Sequence, residues 1–437
     1  MKIFGSDGFR CEFGYKYMTP NFLMNFSNAV GDFYLERNYN KPILIAMDTR
    51  ESGKIIESLI SAILMYKGIK VNLAGIVPTP ALSKIIEIKN YSLGIMITAS
   101  HNDAKDNGIK LFNSTGLKLK ETDEMEIEKK ILKNSDFTIN VNERILLKDE
   151  IDGALIYSNF LLNKFSKLSL KNKVLIDCAH GACGQIAKNG FRKIKNIEFI
   201  NVDSNGKNIN YKSGALEGKR LLKILKKKNI LFGAAFDGDG DRCIFVSKEY
   251  GEIETEKMIF LFYKYLFKKI KSKKVISTEI CNLALSENLN KIGLQLIETE
   301  VGDRNVVETA IKEKAILGAE PSGHFFFSRM SRSMDGFLTL LHFLKLIEKL
   351  GDKLPDILKK IDHHHRITKN INAENFSEIN LKKLKNIIMK GLNHKQEKMV
   401  VRLSIWEPTL RMYYDFKEQN NFKKLEKTLL KRLKEFT

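Results

Sequence analysis

Three aspartates, Asp237, Asp239 and Asp241, alternate with Gly238 and Gly240 in the stretch "AAFDGDGDRC". Carboxylates this close resist joint ionisation unless a cation sits among them. The intervening glycines let the backbone fold tightly, so alternate side chains can converge on one point. An oxygen-only donor set selects a hard cation, Mg²⁺ or Ca²⁺. An EF-hand loop is excluded, because it needs glycine at its sixth position and glutamate at its twelfth. Arg242 and Lys248 stand there. Arg242 follows the aspartates directly, and a divalent cation beside an arginine is equipment for steadying a transferring phosphoryl group.

The donor of that group is not evidently ATP. The chain has no G-x-x-x-x-G-K-[ST], and Cys243 stands where a G-x-G-x-x-G would need its last glycine. A phosphorylated serine of the protein itself would supply the group, and Ser100 in "ITASHND" (97–103) is the candidate. It is not a hydrolase serine of the nucleophile-elbow type, which wants glycine two positions before and after. Those positions are Thr98 and Asn102. Taken alone, Ser100 reads equally well as a turn former.

Its place in the chain changes that balance. Apolar runs "PILIAM", "KVNLAGIV" and "YSLGIMITAS" are separated by helical patterns over "SGKIIESLISAILMYKG" and "PTPALSKIIEI". That is βαβαβ, with parallel pairing and helices packed on the sheet. The pattern returns with "NKVLIDC", a helix from about Cys183, "IEFINVD", "LEGKRLLKILKKKN" and "ILFGAAF". A third round follows: "KVISTEI", "NLALSENLNKI", "LQLIETE", "RNVVETAIKE" and "AILGAE". After about residue 362 the polar "HHHRITKNINAEN" predicts a connection, and the run His363–His365 a solvated one. Beyond it come helical patterns at 378–391 and 421–436 around the strand-like "KMVVRLSIWEPTLRMYYDF". The expected fold is α/β: three consecutive α/β repeats with mixed or parallel sheets, then a smaller C-terminal α+β domain. The expected boundaries are 1–145, 146–250, 251–362 and 363–437. Ligands of open α/β sheets gather at the carboxyl ends of the strands. Ser100–Asn102, Asp237–Arg242 and Glu320–His324 all fall at such ends, in different repeats, and would share a central cleft.

The bulk numbers agree. A length of 437 residues exceeds one core. Hydrophobic content of 43% and charged content of 29% suit a globular chain with no membrane-spanning run. Five scattered cysteines without C-x-x-C point to the reducing cytoplasm. The net charge of +21 would suit nucleic acid, but the lysines are spread in short clusters such as "LKKKN" with no aromatic interleaving. Attraction of small anions is the expectation, not nucleic-acid or membrane binding.

"TASHN" (98–102), "DGDGDR" (237–242) and "GAEPSGH" (318–324) occur in the order and spacing of the α-D-phosphohexomutases, which the chain resembles over nearly its whole length. "FGSDGFR", "DNGIK" (106–110) and "VGDRNV" (301–306) look most like the branch acting on glucosamine phosphate. The resemblance implies an isomerase that passes a phosphoryl group from Ser100 to a hexosamine phosphate and takes it back from a 1,6-bisphosphate. It implies Mg²⁺ on Asp237, Asp239, Asp241 and an oxygen of Ser100, with hexose 1,6-bisphosphate as activator. His101, Lys110 and Arg10 would assist proton transfer and charge balance. Arg242, Glu320, Ser322 and His324 would meet the substrate, as would Arg402, Ser404 and Arg411 of the last domain. The protein would work as a monomer or homodimer.

The last domain departs from the family pattern. Its loop reads "RLSIWEPTLR", with Ile405 and Trp406 in place of glycine and threonine. A lost hydrogen bond to a charged group costs about 1.5–3 kcal/mol, roughly ten- to hundredfold in binding. Cys11 also stands where glycine is usual. Mannose and glucose phosphates therefore remain alternative substrates, and a phosphosugar-binding protein without turnover a further one.

Overall fold

The computed structural model of the chain describes residues 3–5, 7–133, 149–191, 194–267, 271–372, 396–403 and 409–417. The first unit comprises β1 (Phe9–Glu12), α1 (Pro20–Glu36), β2 (Ile43–Met47), α2 (Gly53–Tyr66), β3 (Val71–Ile76), α3 (Thr79–Lys89), β4 (Leu93–Ile97), β5 (Asp106–Asn113) and α4 (Glu121–Lys133); β6 (Asp149–Glu150), from just past the expected boundary at 145, pairs with β3 in its sheet, and α5 (Gly153–Lys164) leads into the second unit. The first sheet runs β1-β5-β4-β2-β3-β6. β2 pairs in parallel with β3 and β4, as βαβ connections require, while β1 and β5 are antiparallel. "ILIAM" and "LGIMI" are buried at every position because helices cover both faces of the sheet.

The second unit holds β7 (Val174–Asp177), α6 (Cys183–Asn189), β8 (Ile197–Ile200), α7 (Gly218–Lys228), β9 (Phe232–Phe236), β10 (Cys243–Ser247) and β11 (Gly251–Ile253). Its sheet order is β11-β10-β9-β7-β8. The third holds α8 (Thr255–Leu261), β12 (Lys274–Thr278), α9 (Ala284–Asn290), β13 (Gln295–Thr299), α10 (Asp303–Lys312), β14 (Leu317–Glu320), β15 (His324–Phe327), α11 (Gly336–Leu350) and α12 (Leu354–Lys359), with sheet order β13-β12-β14-β15.

One apolar core runs through these units. α11 explains its continuity. "GFLTLLHFLKLIEKL" is apolar almost all round, so it must be covered on most sides. Phe337 packs on Phe236 at 4.6 Å and Phe343 on Phe245 at 4.1 Å, so the helix of the third unit closes the core of the second. No helix among the described residues is long and apolar enough to cross a membrane.

The last sheet is antiparallel, β16 (His365–Asn372), β18 (Thr409–Phe416) and β17 (Glu397–Leu403) in that order. This corrects the expectation of a connection at 363–372. An edge strand exposed on one face tolerates the polar residues that suggested a linker. The histidine run is not wholly solvated either. His364 is buried, with its amide on Asn282 Oδ1 at 3.1 Å and Nε2 at 3.2 Å from Glu287. The single strand-like stretch resolves into β17 and β18. The helical patterns at 378–391 and 421–436, and Ser404, Ile405 and Trp406, lie outside the described residues.

Candidate active site

β4 delivers the chain to Ser100 at the centre of the first sheet's carboxyl edge. Ser100 adopts φ +52°, a left-handed conformation that costs a non-glycine residue energy and needs support. Arg50 supplies it from the end of β2. Its wholly buried guanidinium donates to the carbonyls of Ser100 at 3.0 Å, Asn102 at 2.8 Å and Asp106 at 2.8 Å, and also to that of Asp103. Asp48 holds Arg50 Nε at 3.0 Å and accepts from Thr98 Oγ1 at 2.6 Å. Thr98 in turn accepts from the Ser100 amide at 2.9 Å. From the second unit, Asn210 donates to the carbonyls of Ser100 and Asn102 at 2.8 and 3.0 Å.

The Ser100 hydroxyl donates to Asp237 Oδ2 at 2.7 Å and lies 3.4 Å from His101 Nδ1. Asp237, Asp239 and Asp241 are all buried and bring a carboxylate oxygen each within 4.8 Å of one another. Two glycines make this possible. A Cβ at Gly238 would sit 2.6 Å from the Ser100 carbonyl, and Gly240, at φ +70°, passes so close to Cys183 that a Cβ would meet its sulfur at 2.4 Å. Lys110, on β5, reaches Asp239 at 2.8 Å and Asp241 at 2.9 Å, and Asp7 at 3.0 Å. Asp7 also pairs with Arg10.

Charge is unevenly shared here. Burial, then Asp241 and Asp239, push the Asp237 carboxyl up to about 8. Burial opposes ionisation of Asp241 too, but Lys110 and His324 outweigh it and hold that carboxyl well below the usual range. Burial lowers His101 to about 3, with Arg242 and Arg10 adding to the effect, so its ring is neutral at physiological pH. His324 goes the other way. Burial and Arg242 oppose its charge, yet Asp241 and Glu320 raise it to about 10.

His324 Nδ1 is 2.9 Å from Glu320 Oε2 and 2.9 Å from Ser322 Oγ, while Nε2 is 3.1 Å from Asp241. Arg242 Nε lies 3.2 Å from the same Nε2 and 3.7 Å from Asp237. Carboxylates at both ring nitrogens favour the imidazolium; the Arg242 Nε–H can donate to Nε2 only when that nitrogen carries no proton, so the two contacts compete. The three motifs predicted to share a cleft are thus in one contiguous cluster. Arg402 and Arg411 face each other across β17 and β18. Neighbouring Ser404 is outside the described residues.

Sequence reasoning missed several members. Asp48 and Arg50 sit at the carboxyl end of β2, so the strand-end rule could have found them. Asp7 lies inside "FGSDGFR" and was passed over. Thr79 had no signal: its hydroxyl donates to Asp239 Oδ2 at 2.5 Å and its amide to the Asp239 carbonyl at 2.8 Å, placing the start of α3 on the acidic loop.

The cluster fits a divalent cation. Three buried carboxylates are available, Asp239 Oδ1 has no hydrogen-bond partner among the described residues, and burial, then its acidic neighbours, hold Asp237 partly protonated. An added cation would satisfy the first and relieve the second. Hard oxygen donors suit Mg²⁺.

A serine that faces a carboxylate triad and several cations, with a neutral imidazole beside it, belongs to a phosphotransferase rather than an acyl hydrolase. Family models narrow this class. Those for the α/β/α domains I, II and III of phosphoglucomutase/phosphomannomutase match residues 1–137, 155–251 and 254–364. The chain is 34% identical over 425 residues to a phosphoglucosamine mutase of Limosilactobacillus reuteri, covering 94% of this chain and 93% of that one. It is 33% identical over 445 residues to a phosphoglucosamine mutase of Helicobacter pylori strain G27, covering 100% and 99%. In fold it is similar to a phosphoglucomutase/phosphomannomutase family protein of Burkholderia thailandensis, with TM-score 0.84 and 19% identity over 99% of this chain and 97% of that one. The chain belongs to the phosphoglucomutase/phosphomannomutase family, the α-D-phosphohexomutases, and is related to the phosphoglucosamine mutases.

Proposed function

We propose that the protein interconverts glucosamine 6-phosphate and glucosamine 1-phosphate through a phosphorylated Ser100 and a 1,6-bisphosphate. The observation that carries this reading is the Ser100 hydroxyl on Asp237 of the triad, in a chain at least 33% identical, over nearly its full length, to two phosphoglucosamine mutases.

Each residue then has a task. A hydroxyl of the sugar phosphate attacks the phosphorus on Ser100; the Oγ–P bond breaks as the new O–P bond forms, and the hydroxyl proton passes by way of the His101 ring to the departing Ser100 oxygen. On the return step Ser100 attacks the other phosphoryl group of the bisphosphate and gives its proton to the neutral ring of His101, whose Nδ1 is 3.4 Å away. Asp237, Asp239, Asp241 and an oxygen of Ser100 would hold Mg²⁺, which supplies Lewis-acid charge against the phosphoryl oxygens when bound. Lys110, Arg10 and Arg242 balance the remaining charge. Glu320, Ser322 and the imidazolium of His324 bind sugar hydroxyls. Arg402, Ser404 and Arg411 grip the phosphate that is not reacting. Hexose 1,6-bisphosphate restores a phosphoryl group to an enzyme that has lost it. The working form is a monomer or homodimer of four domains (1–145, 146–250, 251–362 and 363–437), and its five free thiols suit the cytoplasm.

A ³¹P NMR time course tests this. Protein, Mg²⁺ and a trace of glucose 1,6-bisphosphate are given glucosamine, mannose or glucose 6-phosphate in separate tubes. Fastest formation of glucosamine 1-phosphate is expected. Faster conversion of mannose or glucose phosphate, or none of any sugar, overturns the assignment.

A further inference from the structure

Lys118 is not used in the chemistry above, yet its side chain is only 9% exposed and pairs with two carboxylates at once. One is Asp7, in the first unit; the other is Asp303, at the start of α10 in the third. Asp7 is the group that also touches Lys110 and Arg10. A continuous chain of charge thus runs from the third unit to the residues around the acidic triad. The residue before Asp303 makes a second link. The Gly302 amide donates to Glu320 Oε1 at 3.0 Å, and Glu320 is the carboxylate that holds His324. Two adjacent residues therefore touch opposite ends of the cleft: Gly302 the sugar-binding end, and Asp303 the phosphoryl-transfer end through Lys118.

We propose that Asp303 is a positioning residue that, through Lys118, holds Asp7 in register with Lys110 and Arg10, and so fixes the spacing between the two ends of the cleft. This rests on the assignment of those ends made above. The physical reason is the sharing of one ammonium. With Asp303 charged, Lys118 is balanced between two carboxylates. With that charge removed, Lys118 pairs with Asp7 alone and draws it from Lys110 and Arg10. The Lys118 and Asp303 side chains are 9% and 10% exposed and that of Asp7 is 24% exposed, so water screens such a redistribution only in part. Two other pairs cross the same seam, Arg304 to Glu124 at 2.6 Å and Arg332 to Glu87 at 3.1 Å. They hold the units together, so the effect of Asp303 on the site is separable from its effect on docking.

The test compares Asp303→Asn, Asp303→Glu and Arg332→Met in the full chain. Arg332→Met breaks a pair across the seam without touching Lys118 or Asp7. Turnover is measured on whichever hexose phosphate the wild type converts, and hydrogen–deuterium exchange is followed in peptides spanning 7–12 and 299–305. Asp303→Asn is expected to lower kcat about ten- to hundredfold, with KM changed less than about threefold, because a displaced group near the reaction centre costs this much. Asp303→Glu should recover most of kcat, and Arg332→Met should match the wild type. Exchange in Asp303→Asn should rise in both peptides. Unchanged kcat, equal losses in Asp303→Asn and Arg332→Met, or exchange rising only at 299–305 would overturn the proposal. If Asp303→Asn does not fold, Lys118→Arg, which keeps the charge but displaces it, is judged by the same outcomes. If the wild type converts no sugar phosphate, the assigned function fails while the exchange measurement still decides the link.

Discussion

Ser100 and Asp237 stand 137 positions apart in sequence, and the serine hydroxyl donates to the carboxylate across 2.7 Å. Both are buried, and they come from different units, so the contact exists only when the first two sheets are docked. Ser100→Ala should leave the fold intact and reduce mutase turnover by at least about a thousandfold, since it removes the oxygen proposed to carry the phosphoryl group. Asp237→Asn should weaken Mg²⁺ binding by at least about tenfold, read by calorimetry. Wild-type affinity in that variant would place the cation elsewhere.

Arg50 organises the loop that presents Ser100. Arg50→Met would leave Asp48 buried without its cation and take one donor from each of four carbonyls. We expect a loss of about 3–5 kcal/mol of stability in urea unfolding, as for other broken buried pairs. Asp48→Asn added to Arg50→Met should recover part of it, because the uncompensated charge is then gone. Equal stability of Arg50→Met and wild type would refute this account.

Gly240 carries two separate constraints. Its φ of +70° costs a side chain about 1–2 kcal/mol. Its missing Cβ leaves room for Cys183. Gly240→Ala should lower both metal affinity and turnover. Cys183→Ala in that background should restore only a part, because removing the sulfur leaves Pro78 Cβ at 2.9 Å and the dihedral unrelieved. Full restoration would show that space alone was at stake.

His342 offers a pH test away from the acidic triad. It lies in α11, stacked on Phe327 with ring centres 4.3 Å apart, and burial lowers it to about 4. An unfolded histidine titrates near 6.5, so between pH 6.5 and 4 the unfolded chain binds a proton that the folded one refuses. Stability attributable to this residue is therefore present above 6.5 and lost as pH falls through that window, by an amount on the order of 3 kcal/mol. His342→Phe should flatten the acid limb of the unfolding midpoint against pH. An unchanged limb would mean that His342 does not contribute.

Much of this fold could be read from the chain. β2, β3 and β4 are short runs buried on both faces, and such strands announce themselves as continuous apolar stretches between helical patterns. The strand-end rule then located Ser100, the aspartate loop and Glu320–His324 together. Strands with less apolar character escaped. β16 reads as a polar connection, because an edge strand in a small sheet keeps one face in water and so carries no apolar signature.

The amino-acid sequence by itself determined the donor chemistry of the site: three carboxylates spaced by glycine, a serine with a neighbouring histidine, and a carboxylate–histidine pair. Those depend on residue type and local spacing, which a one-dimensional chain states directly. Only the tertiary structure decided which charges meet. That Lys110 falls between Asp239 and Asp241, that Thr79 caps the acidic loop, that the His101 ring is neutral while flanking carboxylates favour charge on His324, and that Lys118 joins Asp7 to Asp303 all follow from packing between distant segments. Burial and the identity of the nearest opposite charge set these outcomes, and neither is a property of local sequence.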